Sequence, residues 1–217
     1  MKRNILIVFG LLFGFFTLAG AQSSVQAQSA DQVYERLQTK YKGIQSVRAE
    51  FSQTMTSEFS DEKMTSDGVV LMQGNKYRVE TQAQTLVTDG KVTWVYLPAD
   101  RQVLVNDYVQ DETNFSLNDF LFDYADRYRV ASVTTAQLGG EKHFVIRLEP
   151  RSGDAFFSDV VLSMRDRDAL VTRLQVEDVN GTKMDFTLKN IQVNPKLEAN
   201  AFTFTPPRNV EIVDLRS

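Results

Sequence analysis

Long runs in which apolar side chains occupy every second position are the feature that most constrains the fold of this chain. Such runs cover residues 144–148, where positions 144, 146 and 148 are apolar, and residues 184–188, where positions 184, 186 and 188 are apolar. A period of two with one apolar face is typical of antiparallel strands that line an interior on one side. The sequence therefore predicts a mainly β protein.

Turn signals divide these runs into hairpins. Asp89-Gly90, Gly139-Gly140 and Asn180-Gly181 each supply a glycine where a tight turn needs a positive φ. About eleven strands follow from this division, and we expect them to join in one large antiparallel sheet. A sheet of that size curls or closes on itself.

Two segments depart from the alternation and predict helices. The apolar residues of positions 29–42 fall on one helical stripe, which Ser29 or Asp31 can cap and Gly43 can end. Residues 114–126 form a short, very apolar insertion between two strands. We expect both helices to cover the curled sheet as a lid over an apolar cavity.

The amino terminus has the pattern of a secretory leader. Two basic residues precede an apolar run over residues 5–18, and small residues follow at 19–21. The run is shorter than the roughly 20 residues that a membrane-spanning helix needs. We expect cleavage after Ala21, with Ala27 as a second candidate, so that residues 1–21 are a signal peptide and residues 22–217 form a single domain.

The charge and the absence of cysteine narrow the classes of function. Lys and Arg number 24 and Asp and Glu 28, and removal of the two basic leader residues takes the net charge from −4 to about −6. An acidic chain disfavours nucleic acid, whose binding rests on clustered Lys and Arg. Because residue 21 is Ala and the chain has no Cys, it has no thiol to lipidate. We expect no stable membrane insertion.

No constellation of catalytic residues stands out. The single histidine, His143, lies on a predicted strand, and no Gly-x-Ser-x-Gly elbow accompanies it. One His without Cys is a poor ligand set for zinc. We expect His143 to be a surface histidine, and the protein to be no enzyme and to need no metal or other cofactor. The surplus of apolar and aromatic side chains favours instead a cavity for a hydrophobic ligand.

Four segments resemble the LolA family, the periplasmic carriers of outer-membrane lipoproteins. Residues 49–53, AEFSQ, resemble its first-strand Phe-x-Gln pattern, and residues 86–96 resemble its Asp-Gly-Lys hairpin and Trp-x-Tyr strand. Residues 202–207, FTFTPP, are the most specific match, to a C-terminal Phe-x-Phe-x-Pro-Pro segment that residues 210–214 complete.

The resemblance implies an incomplete antiparallel β-barrel closed by a helical lid, and a monomer in the periplasm of a Gram-negative bacterium. Such a carrier takes acylated lipoproteins from an inner-membrane ABC-type lipoprotein-releasing transporter. It binds their acyl chains and passes them to an outer-membrane acceptor. That acceptor shares the fold but is itself a lipoprotein, so Ala21 in place of Cys favours the carrier.

Candidate site residues follow from the alternation and from the resemblance. We expect a charge at Leu174 to abolish binding while the fold stays intact. Tyr77 matches an aromatic position that the family associates with cargo and partner handling. The wall of the lipid-binding cavity is assigned to Phe51, Leu71, Trp94, Leu162, Met164, Leu174, Val176, Met184 and Phe186, and the lid to Tyr34, Leu37, Phe120, Leu121 and Phe122.

One position departs from the family pattern. Gln73 stands where the family typically has an Arg that holds the lid shut, and neither Lys76 nor Arg78 matches that position. Two other interpretations stay open beside the carrier. One is a lipid-binding periplasmic sensor of the same fold, and the other is a structural domain whose interior is fully packed.

Overall fold

The computed structural model describes residues 29–57, 60–109, 128–153 and 155–216. Its first element is helix α1 (Ala30–Lys42). The Ser29 hydroxyl accepts a hydrogen bond from the Gln32 N–H, and the Gln32 side chain accepts one from the Ser29 N–H, so the two form a capping box. Gly43 caps the other end. The predicted helix is confirmed, with Ser29 as its cap.

Twelve strands follow in the described ranges. They are β1 (Ser46–Ser57), β2 (Ser60–Gln73), β3 (Lys76–Thr81), β4 (Thr85–Thr88), β5 (Val92–Leu97), β6 (Gln102–Asp107), β7 (Tyr128–Leu138), β8 (Glu141–Pro150), β9 (Phe157–Arg165), β10 (Val171–Asp178), β11 (Lys183–Val193) and β12 (Glu211–Asp214). All belong to one open sheet in the order β12-β6-β5-β4-β3-β2-β1-β11-β10-β9-β8-β7. The predicted mainly β fold with an unclosed sheet is confirmed.

The twelve strands of the described residues are close to the predicted count of about eleven, and the last of them is β12. This strand pairs with β6 in parallel, whereas the other neighbours in the sheet are antiparallel. The hairpin turns lie where the sequence predicts them. Gly90, Gly139, Gly140 and Gly181 all have positive φ.

Strand register divides the side chains of the sheet between two faces, since residues opposite each other in a ladder point to the same side. Phe51 on β1 lies opposite Leu188 on β11 and Gly68 on β2. We call this side, against which α1 packs, the helix face. Glu50 and its β2 partner Val69 point to the other side, which we call the tail face.

The main core lies on the helix face where α1 covers β8, β9 and β10. The side chains of Leu162 and Met164 are completely buried there. The cluster comprises Val33, Leu37 and Tyr41 of α1 together with Tyr128, Phe144, Ile146, Leu148, Ala155, Phe157, Val160, Leu162, Met164, Ala169, Val171, Leu174 and Val176. Burial of this apolar surface is the main stabilising contribution to the fold.

A second apolar layer forms on the tail face of β3 to β6. The Arg78 guanidinium donates hydrogen bonds to the carbonyl oxygens of Ala201 and Thr203, both at 2.9 Å. These bonds hold the C-terminal segment against the sheet, and the Phe204 ring lies 6.2 Å from that of Tyr96 between centroids. The buried residues of this part of the structure include Val87, Val103, Val105 and Phe202. The Phe-x-Phe motif thus covers the second face of the sheet.

Two predicted segments lie outside the described residues, namely the leader over residues 1–21 and the second helix over residues 114–126. Within the described ranges, no helix is both long and apolar enough to cross a bilayer.

Candidate functional site

Helix α1 is fixed to the helix face by its buried side. Leu37 is buried in the main core, and Tyr34 packs against it partly buried. The Tyr41 hydroxyl accepts a hydrogen bond from the Val171 N–H at 3.0 Å. Burial raises the pKa of Tyr41 to about 12, so its hydroxyl stays neutral. Phe120, Leu121 and Phe122, the other predicted lid residues, lie outside the described residues.

Arg36 makes a polar connection between α1 and the turn that joins β9 to β10. One guanidinium nitrogen donates to the Asp166 carboxylate at 2.8 Å, and the other donates to the Asp166 carbonyl oxygen. Lys142, next to the β7–β8 turn, pairs with the same carboxylate at 3.1 Å. Sequence reasoning missed Arg36, since nothing in a helical pattern indicates which surface Arg reaches a distant turn.

Gln73, where an Arg was expected from the family pattern, is the last residue of β2 and is exposed. It lies opposite Lys76 across the two-residue turn Gly74-Asn75. Of the two other basic residues considered, Lys76 is exposed, and Arg78 is bound to the C-terminal segment. Among the described residues, Arg36 on α1 is therefore the basic side chain that connects the helix to the sheet, through Asp166 in the β9–β10 turn.

The structure brings seven of the nine predicted cavity residues together on the helix face. Register connects Leu162, Leu174 and Phe186, and it connects Val176, Met184 and Met55. Met164 follows on β9 and Phe51 on β1. Leu162, Met164, Leu174 and Val176 belong to the buried core, and Met184 and Phe186 pack against it partly buried.

The structure separates the other two, Leu71 and Trp94, from this set. Leu71 lies opposite Arg78, and Trp94 lies opposite Val87 and Val105. Both therefore point to the tail face, on the side of the C-terminal segment. The sequence assignment grouped them with the other seven because β2 and β5 carry apolar residues on both faces, so that alternation does not distinguish the faces.

A row of apolar side chains that the sequence assignment did not include crosses β2 to β6 on the helix face. Adjacent members are direct partners in four successive ladders. All are half-buried, in contrast to the core under α1. We call Val70, Val79, Leu86, Val95 and Leu104 the valine–leucine row. At one end it continues to Ala49 on β1, and at the other to Val213 on β12.

Tyr77 lies on the helix face beside this row, opposite Met72 and Thr88. Its ring meets that of Tyr108 edge to face, with 6.5 Å between centroids. It is half-buried, and its ring lies beside Val79 of the row on the same face of β3.

The Asp-Gly-Lys motif shapes the turn between β4 and β5. The Asp89 carboxylate accepts hydrogen bonds from the N–H groups of Lys91 and Val92 at 2.8 and 2.9 Å. Gly90 has φ +88°, which a side chain would disfavour. This motif therefore sets the local geometry of the turn.

His143 is buried, contrary to the expected surface position, with 3% of its surface exposed. Its Nδ1 lies 2.8 Å from the Glu141 carbonyl oxygen and its Nε2 lies 2.9 Å from the Thr172 hydroxyl. Both ring nitrogens thus have partners within the sheet. No group of three or more His, Cys, Asp or Glu side chains in the described ranges could hold a metal ion.

Comparison with known proteins agrees with this geometry. Residues 42–205 match the family described as outer membrane lipoprotein carrier protein LolA. An outer-membrane lipoprotein carrier protein of Azotobacter vinelandii is 27% identical over 191 residues, covering 86% of this chain and 90% of its own. One from Serratia proteamaculans is 26% identical and covers 99% of both chains.

The fold also has a counterpart among solved structures. An uncharacterized conserved protein from Thermus thermophilus superposes with a TM-score of 0.54 at 15% identity, covering 86% of this chain and 99% of its own. That likeness concerns the fold alone. The family match covers most of the chain, and the chain belongs to the LolA family of outer membrane lipoprotein carrier proteins.

Proposed function

We propose that this protein is a periplasmic carrier that binds the acyl chains of lipoproteins on the helix face and takes them to the outer membrane. The observation that carries the proposal is the half-buried valine–leucine row. Under α1 the same face is filled by the chain's own core, whereas over β2 to β6 its apolar side chains keep accessible surface. A surface of this kind suits an apolar ligand.

Physical chemistry explains why such a cargo needs a carrier. Each CH₂ group of an acyl chain gains about 0.8 kcal/mol on leaving water. Three acyl chains with about 45 such groups would cost roughly 35 kcal/mol in open water, as an upper limit. Binding to a protein saturates near roughly −20 kcal/mol. Loading from a membrane must therefore be driven, and unloading must occur by direct contact with an acceptor.

This division of labour implies two partners. An inner-membrane ABC-type lipoprotein-releasing transporter supplies the energy, and an outer-membrane acceptor receives the acyl chains. The carrier itself needs an apolar surface and a cover that can move. Within the described residues α1, held by Tyr41 and Arg36, covers the packed core beside that surface and not the row itself. In the proposed binding surface the valine–leucine row takes the place of Leu71 and Trp94, and also of the core residues Leu162, Met164, Leu174 and Val176.

The direct test is native mass spectrometry of the chain recovered from the periplasm of a Gram-negative host. We expect a fraction of the protein to carry an acylated polypeptide. The variant Leu104→Glu places a carboxylate within the half-buried row and should remove that fraction. Its matched control is Ser132→Glu on the exposed edge strand β7, which should leave the fraction unchanged.

Two results would contradict the proposal. Equal cargo on Leu104→Glu and on unmodified protein would show that the row does not bind acyl chains. Recovery of a membrane regulator with no acylated polypeptide would favour a sensor of the same fold. Circular dichroism of both variants establishes that the sheet is retained.

A further inference from the structure

Three methionines lie side by side on the helix face, in neighbouring strands. Met55 on β1 is the direct partner of Met64 on β2 and of Met184 on β11. On the far side of Met184 the same row continues to Val176 and Val160 in the buried core. We call Met64, Met55 and Met184 the methionine row.

Exposure rises steadily along this row toward β2. Val176 is buried, Met184 and Met55 are half-buried, and Met64 is 53% exposed. The cause is the length of β2, whose pairing with β3 stops at Gly68 opposite Thr81. Beyond Gly68 the row therefore has no β3 neighbour, and Met64 stands at an open rim of the sheet.

The rim lies on the same face of β2 as the proposed binding surface, with Ser66 and Gly68 between them. Met64 and Val70 share the helix face of β2, six residues apart, which corresponds to about 20 Å along the strand. One extended acyl chain of a lipoprotein spans such a length. Methionine suits contact with a moving apolar ligand, because its unbranched thioether side chain adapts its shape at low cost.

We propose that the acyl chains of the cargo cross the rim of the sheet at the methionine row and remain in contact with it when bound. This inference rests on the proposed function and adds the place where the ligand enters. The half-buried valine–leucine row then holds the inner part of an acyl chain, and the methionine row holds the part next to solvent.

Site-directed labelling tests this well because the chain has no cysteine of its own. The full chain is prepared as Met64→Cys, Leu104→Cys or Ile212→Cys and labelled with a bimane fluorophore. Ile212 serves as the matched control, since it is similarly exposed but points to the tail face on edge strand β12. The probe is a synthetic triacylated lipopeptide with a nitroxide quencher on one acyl chain.

We expect the label at Met64 to lose most of its fluorescence on addition of the probe, while the label at Ile212 keeps its signal. Quenching at Leu104 without quenching at Met64 would overturn the methionine row and leave the carrier function intact. Absence of quenching at both Met64 and Leu104 would contradict the carrier function itself.

A pair of unlabelled variants gives a second readout. Met64→Leu keeps an apolar side chain at the rim, and Met64→Gln replaces it with a polar one of similar length. We expect the rate of probe loading to fall several-fold in Met64→Gln but not in Met64→Leu, since an amide beside an acyl chain loses hydrogen bonds to water. Equal rates in the two variants would overturn the proposal.

Discussion

The ring of Phe51 lies over Gly68, its direct partner across the β1–β2 ladder. A Cβ atom added to Gly68 would lie 2.9 Å from both Cε1 and Cζ of that ring, and it would overlap the carbonyl oxygen of Glu80 on β3. The absence of a side chain at Gly68 therefore lets the aromatic ring lie against the backbone of the sheet.

Gly68→Ala should destabilise the protein by about 1–3 kcal/mol, the usual cost of overfilling a packed site. Rotation of a side chain cannot relieve the overlap with Glu80, because the opposing atom belongs to the backbone. Urea denaturation measures the change. Gly153→Ala is the matched control, since its Cβ would meet nothing within 4 Å. The interpretation fails if the two variants are equally stable.

Much of the fold could be predicted from the sequence, and the reason is visible in particular residues. Ser29 and Gly43 bound α1 because both the capping box and the glycine cap are local signals. The hairpins at Gly90 and Gly181 likewise depend on residues adjacent in the chain. Strand β12 lacks such a local signal, because it is a four-residue parallel strand with no tight turn that joins it to its partner β6.

The face of each strand was harder to predict where the sheet is covered on both sides. Residues 69–72 are a continuous apolar run, so that alternation gives no sign of which residues face α1. A shift of one residue moves a whole strand's side chains to the other face. The two-residue turn at Gly74-Asn75 fixes the register of the hairpin, because it sets Met72 opposite Tyr77 and therefore Val70 opposite Val79.

Arg36→Ala should loosen α1 while the sheet under it stays intact. The substitution removes both hydrogen bonds to Asp166. Because each side chain of the pair is about one-third exposed, we expect a loss of stability of about 1 kcal/mol or less. Hydrogen exchange should accelerate for the amides of α1 and not for those of β9. Arg129→Ala, which breaks an exposed pair with Glu149, should leave both rates unchanged.

The contact between Arg36 and Asp166 should also weaken in acid. The hydrogen bond from Arg36 holds the pKa of Asp166 below its ordinary value, with Lys142 acting in the same direction against partial burial. A carboxyl whose pKa is lowered by folding stabilises the fold above its ordinary pKa of about 4, and that stabilisation is lost as the pH falls through the lowered value. The contact should therefore be constant from neutral pH to about 5.

Carbon-13 NMR of the Asp166 carboxyl group measures this titration directly. In the unmodified protein the midpoint should lie below the ordinary value, and in Arg36→Ala it should move upward toward it. An identical midpoint in both proteins would show that Arg36 does not stabilise the ionised carboxylate.

Leucines at two positions on the helix face should separate the folding role of that face from its binding role. Leu174 is 2% exposed within the core, whereas Leu104 is half-buried in the valine–leucine row. Leu174→Ala should cost about 2–5 kcal/mol because it leaves a cavity under α1. A charge at Leu174 would unfold the chain, contrary to the expectation from the sequence. Leu104→Ala should cost less than about 2 kcal/mol, because the Leu104 side chain is already partly exposed and its truncation removes less buried apolar surface.

The two variants should rank in the opposite order for loss of affinity, with Leu104→Ala affected more than Leu174→Ala. Below the unfolding transition, Leu174→Ala should bind a triacylated lipopeptide as the unmodified protein does, because the ligand does not replace the core beneath α1. Leu104→Ala should bind it more weakly, since part of the apolar contact with the acyl chain is removed. Isothermal titration calorimetry on both variants, alongside their urea denaturation curves, gives the two orders. Parallel losses of stability and affinity would mean that one packed interior serves both roles.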